Sequence, residues 1–461
     1  MIKTLISRVT DFFRGKPGAG TRYKSYGPSV HGIVPSDVSP AAVRTCQILQ
    51  KKGFKAYIVG GAVRDLITRH KPKDFDVVTD ATPEQIKACM RRAIIIGRRF
   101  RLVHVLWGKE TIECATFRAL HGSSVRKDAY GRIVSDNDFG EMWEDAARRD
   151  FAINALFYDP VTQSVIDYND GMQDIQNKVV RMIGDPETRY TEDPVRMLRA
   201  VRIAAKLNYT IEPHTLEPIS RLSYLLQNVP QARLFDEALK LLTCGNSIKC
   251  MRALRDAGLD RYILPSLSSA LRYDFGQDFL TVAMERTDER ISLGKKVSPS
   301  FLFATLLWPA VANKYREFSQ SSSPMNAMTL AGQWVLAKHS EQMQIQSKIA
   351  SDMLFIWQMQ VRMCYRARKT TVDLPAAPKF RASFDFLSLR QTLGYVRKEL
   401  VAWWNKFQAA GEEERLAMID TAVYEKGPAD EPVSFEEAGP IIHKPRKNKK
   451  NKSNKIRSQA V

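Results

Sequence analysis

Between residues 36 and 120 the apolar positions alternate between two periods. "SPAAVRTCQILQKKG" places them at helical spacing and stops at Gly53. "KAYIVGG" is a short apolar run into a glycine pair, so it predicts a strand and a turn. "AVRDLITRH" predicts a helix starting at that turn, and "KDFDVVTD" a second strand. "TPEQIKACMRRA" opens with a Thr-Pro-Glu helix start. "RLVHVLWG" and "ETIECATFRA" predict further strands. After about Met182 only helical periods remain, as in "DPVRMLRAVRIAAKL", "ARLFDEALKLL" and "SIKCMRALRDAG". The expected fold is α+β: a small mixed-sheet head followed by an all-α C-terminal half. The expected divisions are an amphipathic segment and Gly/Pro linker (1–37), the head (38–182), a helical neck (183–245), a helical body (246–408), and a linker with a disordered basic tail (409–461).

Charge changes this picture. The formal net charge is +20, and an excess of that size points to a polyanionic partner such as nucleic acid. The tail, "HKPRKNKKNKSNKIR", accounts for part of it. "RRFRLVH", "EDAARRD" and "VRMLRAVR" carry basic charge within folded-looking sequence. The six cysteines show no CxxC and no Cys/His ligand spacing, which argues against a zinc site or a disulfide framework. A reducing, cytoplasmic compartment is expected. No run reaches the length of a membrane span; "FLFATLLWPAVA" comes nearest and reads as a buried helix. "MIKTLISRVTDFFRGK", residues 1–16, has an amphipathic helical pattern. It is compatible with peripheral membrane contact, though packing on the protein or disorder is the preferred reading.

The candidate chemistry lies in the second strand. Asp74 and Asp76 are two residues apart, so in a strand they project to one face while Phe75 and Val77 face the core. Adjacent carboxylates repel unless a cation lies between them. Magnesium suits them, bound by one or two carboxylates plus substrate phosphates. Two such ions activate an attacking hydroxyl and stabilise a leaving pyrophosphate. Upstream, Gly60 and Gly61 free the backbone to approach a phosphate, the following helix offers its N-terminus, and Arg64 offers a charged contact.

"GGAVRD" followed by "DFDVVT" resembles the signature of the polymerase β-type nucleotidyltransferases. More narrowly, it is similar to the bacterial class holding poly(A) polymerases and CCA-adding tRNA nucleotidyltransferases. The likeness continues through "ECATFR", "EDAARRDFAINAL", "EDPVRMLRAVRIAAKL" and "ARLFDEALKLL", and spans roughly residues 38–405. It implies metal ligation by Asp74 and Asp76 and a third catalytic carboxylate. Asp150 is the preferred candidate and Glu113 the rival. It also implies nucleotide contacts from Gly60, Gly61, Arg64, Asp65, Arg118, Arg149 and Asn154, with Arg148 and Arg149 facing triphosphate or RNA. Ala119 and Ala152 depart from the usual glycine and threonine, which touches loop or sugar contacts rather than the chemistry.

"EDPVRMLRAVR" sets Asp193 and Arg196 three apart on one helical face. An acceptor beside a donor matches the edges of adenine and cytosine and rejects guanine and uracil. Asp193 before Pro194 reads equally as a helix cap; the resemblance favours base reading. It leaves A-only and C-then-A addition open, and here "IIGRRFRLVHV" is closer to the poly(A) class. The expectation is therefore a monomeric, magnesium-dependent enzyme adding AMP from ATP to RNA 3′ ends. CCA addition is the alternative, and a catalytically silent RNA-binding scaffold the rival of another class.

Overall fold

In the computed structural model the described residues are 22–97, 101–120, 126–127, 133–135, 138–263, 274–341, 343–364, 366 and 371–422. The segment 1–16, Arg98 and Arg99, most of the polar loop after Leu120 and the basic tail lie outside them. The chain divides into two units: the first holds residues up to 264 with 287–296 and 342–344, the second the rest of the later helices.

The first unit is built on an eight-stranded sheet. Its strands are β1 (Lys24–Tyr26), β2 (Ala56–Val59), β3 (Asp76–Thr79), β4 (Ala93–Ile96), β5 (Leu102–Trp107), β6 (Glu110–Thr116), β7 (Leu156–Asp159) and β8 (Ser164–Asp167). Their order is β1-β8-β7-β2-β3-β6-β5-β4. All pairs are antiparallel except β3 with β6, which makes the sheet mixed as expected.

Both faces of the sheet are covered. Helix α1 (Pro40–Lys51) is capped by Ser39, whose Oγ accepts from the Ala41 and Ala42 amides, with Pro40 in the first turn. It buries Ala42, Cys46 and Leu49, spaced to form one stripe. On the opposite face Val59, Val78 and Phe157 pack with Phe117 and with Met142 and Ala146 of α4 (Met142–Arg148). Two short helices complete the head: α2 (Gly61–Ile67) after β2, and α3 (Pro83–Cys89), started by a Thr82/Gln85 capping box.

Two expectations are revised. The Gly/Pro stretch before Ser36 is not all linker: Lys24–Tyr26 pairs with β8 as an edge strand, and His31 is buried. Three residues at an edge need only one pairing partner and no apolar alternation, so the period test is blind to them. The second strand starts at Asp76, not before it. Its ladder with β2 ends at the Val59–Asp76 pair, because the chain turns away at Gly60.

The helices that follow in this unit are α5 (Gly171–Asn177), α6 (Pro186–Glu192), α7 (Val195–Leu207), α8 (Pro213–Leu222), α9 (Gln231–Leu242) and α10 (Ser247–Asp256). The spine is α7, which buries Val195, Leu198, Val201 and its neighbours. The second unit contains α11 (Pro299–Phe318), α12 (Pro324–Ser340), α13 (Ser347–Cys364), α14 (Phe380–Thr392), α15 (Lys398–Ala409) and α16 (Glu412–Ala422). "FLFATLLWPAVA" lies in α11 and is almost wholly buried, as its all-round apolarity requires. Two buried tryptophan N–H groups here find carbonyls: Trp357 donates to that of Ala304 and Trp404 to that of Met363. No helix among the described residues is long and apolar enough to cross a membrane.

Candidate active site

The site grows from the end of β2. Gly60 takes φ +81°, ψ −142°, a conformation that only glycine adopts without strain. A Cβ there would stand 3.8 Å from Arg149 Nη1 and 4.0 Å from Asp76 Oδ2. The glycine therefore opens the backbone between a cation and a carboxylate.

Asp76 heads β3, and its register partner on β6 is Glu113. Register partners on neighbouring strands share a face, so both carboxylates stand on the side that α4 covers. Asp74 precedes the strand and is exposed, while Phe75 between the two aspartates is buried. The Asp76 carboxyl reaches solvent but is hemmed in by protein. That burial, with repulsion from Glu113 and Asp74 opposed by Arg149, pushes its pKa up to about 6. His104 on β5 completes the row, with Nε2 3.5 Å from Glu113 Oε1.

These acids fit a divalent cation. They are hard oxygen donors, and their mutual repulsion is what such an ion relieves. Among the described residues no three metal-ligating side chains already converge.

Asp150, the expected third carboxylate, has both oxygens engaged by protein donors. Its Oδ2 accepts from Arg199 on α7 at 2.7 Å, and its Oδ1 from the Phe151 amide at 2.8 Å and Asn154 Nδ2 at 3.2 Å. Burial opposes its ionisation, but the Arg199 charge and these donors hold its pKa down at about 2. Glu113, not Asp150, is the register neighbour of Asp76.

Arg64, Asp65 and Asn154 are drawn into the same framework. Arg64 Nε and Nη2 donate to Asp65 Oδ1 at 2.9 and 2.5 Å, and Nη1 donates to Asn154 Oδ1 at 2.5 Å. Asp65 Oδ2 accepts from Lys206 at 3.0 Å. The chain Lys206, Asp65, Arg64, Asn154, Asp150, Arg199 thus leaves α7 and returns to it, passing beneath the glycine turn.

The basic charge on α7 has specific partners. Arg196, Arg199, Arg202 and Lys206 recur at helical spacing on one face. They meet Glu192 at 3.4 Å, Asp150 at 2.5 Å, Glu237 at 3.6 Å and Asp65 at 3.0 Å. The arginines of "VRMLRAVR" thus brace the site through carboxylates of the same unit. Arg101 is likewise bonded to Glu84.

Arg149 lies over the Phe157 ring at 5.3 Å and donates to Asp145 Oδ2 at 2.8 Å. The Arg118 amide donates to the same carboxylate. Arg148 donates to the Ala119 carbonyl at 2.6 Å. Burial, then Arg118 and Arg189 nearby, lowers the Arg148 pKa to about 10. A buried cluster that crowds arginines this way favours an anion beside it.

Asp193 and Arg196 sit together but with separate partners. Asp193 Oδ1 accepts from the Val195 amide at 3.3 Å, but Asp193 is the residue that closes α6, and Pro194, not Asp193, stands at the N-terminal cap of α7. Its Oδ2 accepts from Arg233 on α9 at 2.7 Å. Arg196 donates to the Arg189 carbonyl at 2.9 Å and pairs with Glu192. Sequence reasoning missed Arg189, Arg199 and Arg233. Arg233 lay within the quoted "ARLFDEALKLL", but nothing in its spacing told that it meets a residue forty positions earlier.

Three comparisons bear on what this arrangement serves. Residues 56–181 match the Poly A polymerase head domain family, 208–271 the probable RNA and SrmB-binding site of polymerase A, and 320–453 the polymerase A arginine-rich C-terminus. The chain is 42% identical over 403 residues to Poly(A) polymerase I of Salmonella typhimurium, covering 85% of this chain and 87% of that protein. It is 40% identical to Poly(A) polymerase I of Haemophilus influenzae, over 84% of this chain and 88% of that one. A CCA-adding enzyme of Bacillus subtilis is 37% identical over 46% of this chain and 52% of its own length. Among solved structures, a tRNA-processing enzyme in an apo form superposes with a TM-score of 0.53 at 21% identity, over 82% of this chain and 99% of that one. That likeness speaks to the fold.

Proposed function

This chain belongs to the poly(A) polymerase family, and from that premise we propose that it is a template-independent RNA 3′-end adenylyltransferase. It adds AMP residues to RNA, with the 3′-hydroxyl displacing pyrophosphate from ATP. The observation carrying the reading is the pairing of Asp76 with Glu113 beside the Gly60 turn, in a chain so extensively similar to poly(A) polymerases.

Asp74, Asp76 and Glu113 are the carboxylates that would hold divalent metal, two magnesium ions in the full reading. Bound there, the metal lowers the pKa of the attacking hydroxyl and offsets charge on the leaving pyrophosphate. The rest is the work of the chain. The Gly60–Gly61 turn lets backbone N–H groups face the triphosphate. Arg149, with Arg118 and Arg148 near it, supplies positive charge toward the phosphates. Asp150 acts as a positioning residue: tied to Arg199, it fixes the segment that follows Arg149. Asp193 and Arg196 read the adenine edge, held in orientation by Arg233 and Glu192. The helical second unit and the basic tail hold RNA without sequence preference.

The test is a primer-extension ladder with magnesium, offering an unstructured RNA and a tRNA lacking its CCA end. A long ladder with ATP alone on the unstructured RNA is expected. A stop after three additions, on tRNA only and with CTP and ATP together, would establish CCA addition instead. Absence of any incorporation would favour a silent RNA-binding scaffold.

A further inference from the structure

The end of α9 holds a feature outside the nucleotide site. The chain leaves α9 and turns through Thr243, Cys244, Gly245 and Asn246 into α10. Gly245 takes φ +87°, which keeps the turn tight. The turn brings Cys244 Sγ to 3.1 Å from Cys250 Sγ. That is inside ordinary sulfur–sulfur contact and about 1 Å longer than a disulfide bond. Both thiols are free.

The approach is held by anchors on both sides. Asn246 Nδ2 donates to the Ala205 and Lys206 carbonyls of α7, at 3.4 and 3.0 Å. The Ser247 amide and hydroxyl both donate to Asp288, at 2.8 and 2.9 Å to its Oδ2. A pair fixed this closely has little conformational entropy left to lose on bonding.

The two thiols differ in the way an exchange reaction needs. Cys244 is half-buried, Cys250 fully buried. The hydrogen bond from Cys250 stabilises the Cys244 thiolate, with Arg202 adding positive charge and burial and Asp288 opposing, so its pKa is lowered. The same hydrogen bond, with burial, pushes Cys250 up. Cys46 and Cys114, by contrast, are buried with thiols raised by desolvation.

We propose that Cys244 and Cys250 form an oxidation-sensitive dithiol, closed to an intramolecular disulfide by a low-molecular-weight disulfide of the glutathione type. The Cys244 thiolate, its proton lost to solvent, attacks one sulfur of the small disulfide. That bond breaks, one small thiolate leaves, and a mixed disulfide remains on Cys244. Cys250 gives up its proton, attacks the Cys244 sulfur and expels the second small thiolate. Two protein thiols are oxidised by two electrons, and one small disulfide is reduced to two thiols.

The test uses the full chain, native by circular dichroism, in buffers of oxidised and reduced glutathione. Samples are quenched with N-ethylmaleimide and mapped by peptide mass. The expected product is a Cys244–Cys250 linkage, formed roughly tenfold faster than any modification of Cys89, the other half-buried cysteine. Excess reduced glutathione should reverse it. Cys250→Ser should stop at glutathione on Cys244, and Cys244→Ser should leave Cys250 unmodified. Modification of Cys244 no faster than of Cys89, or a linkage seen only in denaturant, would overturn the proposal. If either variant fails to fold, the wild-type map decides alone.

Discussion

Arg199→Met tests whether Asp150 is a structural anchor. The substitution keeps much of the side-chain length and removes the charge. In the native chain the Asp150 carboxylate is 10% exposed and pairs with Arg199 at 2.5 Å. Its folded pKa of about 2 lies below an unfolded value near 3.9. A depressed carboxylate stabilises the fold above its unfolded pKa, and that stabilisation is lost as pH falls through the folded pKa. The pair is then worth about 2–3 kcal/mol at pH 7, roughly half of that at pH 3, and little below pH 2. Removing the cation also leaves a buried carboxylate uncompensated, so a loss of about 3 kcal/mol at pH 7 is expected. That corresponds to about 150-fold more frequent local opening. Hydrogen exchange with mass spectrometry reads it directly, because the Phe151 amide donates to Asp150. Peptides spanning Ala146 to Tyr158 should exchange about two decades faster than wild type at pH 7, and much less so at pH 3. Less than about threefold acceleration at pH 7, or equal acceleration at both pH values, would refute the electrostatic account. A companion pair of variants separates anchoring from chemistry. Asp150→Asn should keep turnover within about tenfold of wild type, and Glu113→Gln should lose about a thousandfold. The reverse ranking would make Asp150 the catalytic carboxylate after all.

Asp76→Asn should abolish ATP incorporation yet stabilise the fold, by no more than about 1 kcal/mol because solvent screens the carboxyl. The raised pKa means that the native carboxylate's cost to stability grows as pH rises past the unfolded value near 3.9 and is complete above about pH 6. The gain in Tm should therefore appear at pH 8 and vanish at pH 4; the opposite order would sink the repulsion argument. Arg233→Ala should raise the KM for ATP about tenfold and narrow the preference for ATP over GTP, measured by single-nucleotide addition. An unchanged preference would remove Arg233 from base selection. Truncation after Gly439 should weaken RNA binding and flatten its salt dependence; an unchanged slope in a salt titration would show that the tail makes no phosphate contacts.

The class of fold was legible from local pattern. Apolar periods marked the strands carrying Val59 and Val78 and the helices after Met182, because burial on one face imposes a period wherever a segment is long enough to repeat it. The edge strand at Lys24 was not legible, since three residues cannot show a period. The glycine pair and the two aspartates were also readable, because their meaning lies within a few bonds: a backbone that must turn, and charges that must repel. What the arginines do was decided elsewhere. Arg199 meets Asp150 across 49 positions, Lys206 meets Asp65 across 141, and Arg233 meets Asp193 across 40. A charge seen in sequence has a sign but no partner. Whether it braces the fold or faces a substrate depends on which carboxylate the tertiary structure brings within reach. By itself the sequence determined that carboxylates, glycines and a large positive excess belong to this protein. Only the folded chain set Glu113 beside Asp76, turned Asp150 toward Arg199, and enlisted the α7 arginines in holding the site together, because electrostatic energy depends on distance in space and not along the chain.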